Sequence, residues 1–135
     1  LMHTRPYDGV LELLARLSRH RRLAVLTNKP IDATLQVLEG LGLASYFGDR
    51  VVGGDGPLPR KPDPAGLLHL MSAEDVSAEA TLMVGDSSVD WHTARAAGVR
   101  ACLVRYGFGF AGFPLERLSG DEILVDHPLD LLQRL

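Results

Sequence analysis

The stretch Thr-Leu-Met-Val-Gly-Asp-Ser-Ser-Val-Asp at 81–90, running on to Gly98, limits what this chain can fold into more than any other. Its first four residues form a short apolar run of β-forming character, the pattern of a buried strand. Gly85 ends the run. Ser87 or Ser88 suits the cap of a helix favoured by Ala94, Ala96 and Ala97, and Gly98 stops that helix. Asp86 then lies at the carboxyl end of a strand and Asp90 four residues on, in the first helical turn, so both carboxylates face one point. Ligands of open α/β sheets bind just outside the carboxyl ends of the strands. Two acids there suit a hard cation such as Mg²⁺, which takes a few carboxylates with water and phosphate oxygens. The plainer alternative is an acidic helix start stabilised by the helix dipole.

The remaining chain repeats this alternation. After a coil-like opening, Val10, Leu13, Leu14 and Leu17 recur at helical spacing from Asp8 to about His20. Residues 23–27 form a compact strand, and Asn28-Lys29-Pro30 turns the chain, with Pro30 suited to the first helical position. A helix carries Leu35, Leu38 and Leu41 and stops at Gly42. Val51 and Val52 make a short strand that enters the loop Gly53-Gly54-Asp55-Gly56. Asp63 caps a helix opened by Pro64 and running through Leu67, Leu68 and Met71. Residues 100–105 read as another buried strand, 107–113 as a loop alternating Gly and Phe, 122–125 as a last short strand and 128–135 as a helical turn or two. Strands alternating with helical crossovers predict one α/β domain with a parallel sheet covered on both faces.

The 135 residues suffice for one core, and 46% of them are apolar. A formal charge of −3 gives no reason to expect nucleic acid or an anionic membrane as partner. No apolar run approaches the roughly 20 residues needed to cross a bilayer, and no signal-peptide pattern is present, so a cytoplasmic protein is expected. The single cysteine, Cys102, excludes an internal disulfide, fits a reducing compartment and reads as an inert core thiol. His3, His20, His69, His92 and His127 lack zinc-ligand spacing. The loop at 53–56 lacks the full dinucleotide-binding fingerprint.

Three features fall at strand ends or the loops after them: Thr27-Asn28, Lys61, and Asp86 with Asp90. A threonine hydroxyl and backbone N–H groups at a helix start can hold phosphoryl oxygens. Lys61 adds a compact positive charge, and the acids bind the cation that neutralises charge developing during transfer. Individually each has a blander reading, as a strand-ending threonine, a turn-forming asparagine and a surface lysine; their joint placement favours the phosphate site.

Leu26-Thr27-Asn28, the lysine of Arg-Lys-Pro-Asp-Pro at 60–64, and Val-Gly-Asp-Ser-Ser-Val-Asp at 84–90 resemble the second, third and fourth motifs of the haloacid dehalogenase (HAD) superfamily. Thr-Asn-Lys-Pro at 27–30, Gly-Gly-Asp at 53–55 and Thr-Ala-Arg-Ala-Ala-Gly at 93–98 narrow the likeness to phosphoglycolate phosphatases. The resemblance runs from about Pro6 to Gly109. It implies a Rossmann-like three-layer α/β/α core and Mg²⁺-dependent hydrolysis of a small phosphomonoester through an aspartyl-phosphate intermediate. In that family Thr27 would bind the transferring phosphoryl group with Asn28 beside it. Lys61 would stabilise the phosphoryl group and the nucleophile, Asp86 would ligate Mg²⁺, and Asp90 would support the metal directly or through water.

The family's first motif, Asp-x-Asp-Gly-Thr after an apolar strand, has no counterpart here. At Pro6-Tyr-Asp-Gly-Val-Leu11, proline would occupy the nucleophile's position; the segment better matches the one with which these phosphatases re-enter their core after a helical cap. The resemblance therefore implies the post-cap portion of a phosphatase, with no nucleophile in this chain, weak metal binding and little or no turnover by the chain alone. The absent strand is central in the family, between the strand ending at Thr27 and the strand ending at Gly85, and its loss leaves two rows of unpaired backbone groups. Those strands close on each other, or a second chain fills the gap, or the segment belongs to the same protein. The last is expected, with association between copies accompanying it when the chain is isolated. The alternative function is a non-catalytic module that binds a phosphorylated metabolite or a protein partner.

Overall fold

A computed structural model of the chain describes residues 9–105, 118 and 120–135. The opening coil and the Gly/Phe-rich loop at 107–113 lie outside the described residues.

Among the described residues five short strands, all in parallel pairings, form two separate sheets. β1 (Val25–Leu26) pairs with β2 (Val51–Val52), Val25 opposite Val51. β3 (Leu82–Gly85), β4 (Arg100–Val104) and β5 (Ile123–Val125) form the second sheet in that order, with Met83 opposite Ala101 and Leu103 opposite Leu124. β1 and β3 do not close on each other, and the described residues contain no strand between them.

Side-chain alternation along the strands shows why the helices pack where they do. Ala101 and Leu103 point into a core with Met83, with Leu67 and Met71 of α4 (Ala65–Ala73), and with Trp91 and Ala94 of α5 (Ser88–Ala97). Cys102 and Val104 point the opposite way, to Leu13 of α1 (Val10–Leu17), Ile123, Val125 and Leu131 of the closing 3₁₀ segment (Pro128–Gln133). Val25 and Val51 pack with Leu14 of α1, Leu38 of α2 (Ile31–Gly40) and Leu43 and Phe47 beside and within α3 (Ala44–Phe47). Leu26, one residue on, faces Gly66 of α4. Helices α1 and α4 thus each touch both sheets, one on either face. The three-layer α/β/α arrangement is the Rossmann-like one expected, divided where a strand would stand.

Several element bounds differ from expectation. The first helix ends at Leu17, where the apolar spacing ends, and the Ser18 hydroxyl donates back to the Ala15 carbonyl at 2.9 Å. Residues 23–27 contribute only two strand residues, matched to the two of β2, the partner of β1 among the described residues. Pro30 precedes the first residue of α2 instead of occupying it. Leu35 and Leu68 face solvent, and on α2 Thr34 is buried, its hydroxyl donating to the Pro30 carbonyl at 2.9 Å. The single turn α3 was not anticipated. Cys102 is fully buried and burial pushes its thiol up to about 11, as suits an inert core residue. No helix among the described residues is long and apolar enough to cross a membrane.

Candidate active site

The carboxyl ends of β1 and β3 lie on either side of the division, and the site residues come from the turns that follow them. After β3, Gly85 allows the chain to fold tightly over α5: a Cβ at that position would collide with the Asp90 side chain. Ser87 caps α5, its hydroxyl accepting from the Asp90 N–H at 3.4 Å. Asp90 is buried in this first turn. Its Oδ2 accepts from the Asp86 N–H at 3.1 Å and the Ser87 hydroxyl at 3.2 Å.

The other carboxylate oxygen, Oδ1, meets the Lys61 ammonium at 2.6 Å. Both side chains are nearly enclosed, at 14% and 10% exposure, which makes this a charge-assisted contact in a partly desolvated setting. The blander view of Lys61 as a surface lysine is thereby replaced. Lys61 is in turn held from the other sheet: its N–H donates to Asn28 Oδ1 at 2.8 Å, and Asn28 Nδ2 donates to its carbonyl at 3.1 Å. The chain Asn28–Lys61–Asp90 therefore spans both sheets. Thr27, at the end of β1, accepts from the Lys29 N–H through Oγ1 at 3.1 Å. That bond uses an oxygen lone pair and leaves the hydroxyl hydrogen to donate elsewhere.

The two acids differ in what they offer a cation. Asp90 has both oxygens engaged as acceptors, whereas the described residues make no hydrogen bond or ion pair to the Asp86 carboxylate. Mg²⁺ commonly takes one or two protein carboxylates and fills its octahedron with water and phosphate oxygens. The donor set fits such an ion with Asp86 as the direct ligand and Asp90 orienting its surroundings. Among the described residues no three His, Cys, Asp or Glu side chains form a metal-binding group.

A second loop completes the rim. Gly53 and Gly54 pass so close to the turn after β1 that a Cβ on Gly54 would run into the Asn28 carbonyl. The Gly54 N–H donates to the Lys29 carbonyl at 2.7 Å, Asp55 Oδ1 accepts from the Ile31 N–H at 3.0 Å, and Arg60 Nε donates to the Gly54 carbonyl at 2.8 Å. Sequence reasoning gave Ser87, Asp55 and Arg60 no place at the site. The glycine pair followed by an acid, between a strand and a lysine-bearing loop, is the signal that could have found Asp55 and Arg60, and the capping position before Asp90 the one for Ser87. His92 lies against the Trp91 ring, 4.8 Å between centroids.

Residues 2–104 match the haloacid dehalogenase-like hydrolases. The chain belongs to that family. It is 50% identical over 103 residues to a phosphoglycolate phosphatase of Rhodospirillum rubrum, covering 76% of this chain and 42% of that protein. It is 43% identical over 121 residues to a plasmid-borne phosphoglycolate phosphatase of Cupriavidus necator, covering 89% and 51%. A HAD-superfamily hydrolase of subfamily IA from Geobacter sulfurreducens superposes with a TM-score of 0.78 at 28% identity, over 95% of this chain and 60% of that one. The chain spans about half the length of the curated relatives it matches.

Proposed function

We propose that this chain supplies the phosphoryl-binding and metal-binding part of a phosphomonoester hydrolase acting on phosphoglycolate or a similarly small phosphorylated metabolite, with Mg²⁺ as cofactor, in the cytoplasm. The observation that carries the reading is the 2.6 Å contact of Lys61 with Asp90, made across the division between the sheets by a carboxylate whose other oxygen accepts from the Asp86 N–H. The relatives named above support the substrate.

In this reading Thr27 donates its free hydroxyl hydrogen to a phosphoryl oxygen, and the Lys61 ammonium offers its two remaining N–H bonds to the same group. Asp86 ligates Mg²⁺, which when bound neutralises charge on the phosphoryl oxygens. Asp90 keeps the lysine aimed. No side chain of this chain is assigned as nucleophile: Asp55 is occupied at the start of α2. The nucleophile is assigned to a strand that enters between β1 and β3, supplied by a further segment of the same protein; copies of the isolated chain associate through the same unpaired edges.

The test joins to Leu1 the segment that precedes the matching region in the Rhodospirillum rubrum relative. Phosphate release from phosphoglycolate is expected in Mg²⁺, abolished by EDTA and lowered at least about 10³-fold by Asp86→Asn. Restored activity that survives Asp86→Asn removes Asp86 from its role. Phosphate binding without turnover in the joined protein replaces the hydrolase with a non-catalytic binding module.

A further inference from the structure

We infer that Asn28 is a positioning residue that acts through Lys61 and does not itself serve as a phosphate contact. The inference deepens the phosphoryl-binding reading above and rests on it for its functional meaning.

The geometry carries the argument. One carboxamide bonds both backbone groups of a single residue 33 positions away, taking the Lys61 N–H at 2.8 Å and giving an N–H to the Lys61 carbonyl at 3.1 Å. Two bonds in opposite senses fix where that residue sits and how its peptide planes are turned, which one bond would not. The Lys61 side chain leaves this anchored backbone and ends on Asp90 at 2.6 Å. A flexible four-carbon stem delivers its charge to one place only when both ends are held. Asp90 holds the far end and Asn28 the near one.

The neighbouring bonds do a different task. Gly54 to Lys29, Asp55 to Ile31 and Arg60 to Gly54 fasten the loop to the turn after β1, but none of them grips the residue that bears the charge. Asn28 alone among these does. With one donor and one acceptor spent on Lys61, its carboxamide is turned toward the loop, and the neighbouring Thr27 hydroxyl is left to meet the phosphoryl group.

The test reads Lys61 itself, in this chain, by NMR. In the unsubstituted protein the Lys61 amide is expected to exchange at least about a hundredfold more slowly than a free loop amide; unprotected exchange overturns the inference without any variant. Asn28→Leu keeps the volume and removes both bonds. It is expected to return Lys61 exchange to within about tenfold of the free rate and to move the Lys61 side-chain ¹³Cε and ¹⁵Nζ signals toward their positions in Asp90→Asn. A folded Asn28→Leu protein, by dispersed amide spectrum, whose Lys61 side-chain signals stay in place overturns it. In the joined phosphatase the same substitution is expected to lower kcat/KM about tenfold. Absence of turnover in every form of the protein fails the hydrolase reading while the NMR result still decides the role of Asn28.

Discussion

The two sheets are built by the same parallel rule and differ in what surrounds them. In the three-stranded sheet β4 has a neighbour on each side, and Ala101, Cys102, Leu103 and Val104 are all buried, Cys102 and Leu103 completely. In the two-stranded sheet all four residues are only half-buried, and β1 presents one row of backbone groups with no strand beside it among the described residues. Cohesion therefore concentrates in the second sheet. Much of the candidate site, from Thr27 and Asn28 through Gly54 to Lys61, hangs from the first. Regions that must move or receive ligands are drawn from the less stable parts of a fold, and the proposed function would divide the two duties between the sheets.

The largest expected effect tests that division directly. Leu103→Ala should cost about 4 kcal/mol in urea unfolding, because a fully enclosed side chain leaves a cavity in a strand held on both sides. Val52→Ala, in β2, should cost less than half of that. Equal losses would break the comparison. Next comes the link between the sheets: Lys61→Ala leaves the Asp90 carboxylate almost enclosed without its cation and should cost about 3 kcal/mol, while Lys61→Met combined with Asp90→Asn should recover most of it. Gly54→Ala should cost about 2 kcal/mol through its collision with the Asn28 carbonyl, and hydrogen exchange should rise in residues 25–31 with little change in β4.

The smallest effect belongs to Cys102. Its thiol is raised from 9.0 to about 11 by burial, so the folded state holds its proton where the unfolded state releases it. That contribution is intact below pH 9 and is lost as pH rises toward 11, by under about 1 kcal/mol at pH 9.5. Over the same range alkylation of Cys102 should follow global opening and remain slow. Modification as rapid as that of a free thiol would mean that the second sheet is no better enclosed than the first.

The strand, turn and helix around Asp86 were legible in the sequence because local signals agree there: an apolar run, a glycine, a capping serine and a stop at Gly98. The separation of the strands into two sheets was also foreseeable in kind, since the missing first motif named the place of the gap. Which outcome follows at that gap was not, because it depends on backbone partners that no side-chain pattern records. Leu35 and Leu68 misled for a related reason, as periodicity gives a helix a face but not the height of its neighbours. The Lys61–Asp90 contact joins residues 29 positions apart, and Asn28 reaches 33. Spacing cannot show such pairs, although the resemblance of the motifs placed their members around one pocket.

The Lys61–Asp90 contact has a further consequence. The ammonium proposed to meet a phosphoryl group also rivets one half of the molecule to the other through Asp90. Occupancy and cohesion then share a fastening, and a guest that draws the ammonium toward itself loosens the frame as it binds. Variants at 61 and 90 will consequently show heat tolerance and ligand affinity changing together, and neither property can be tuned at these positions in isolation.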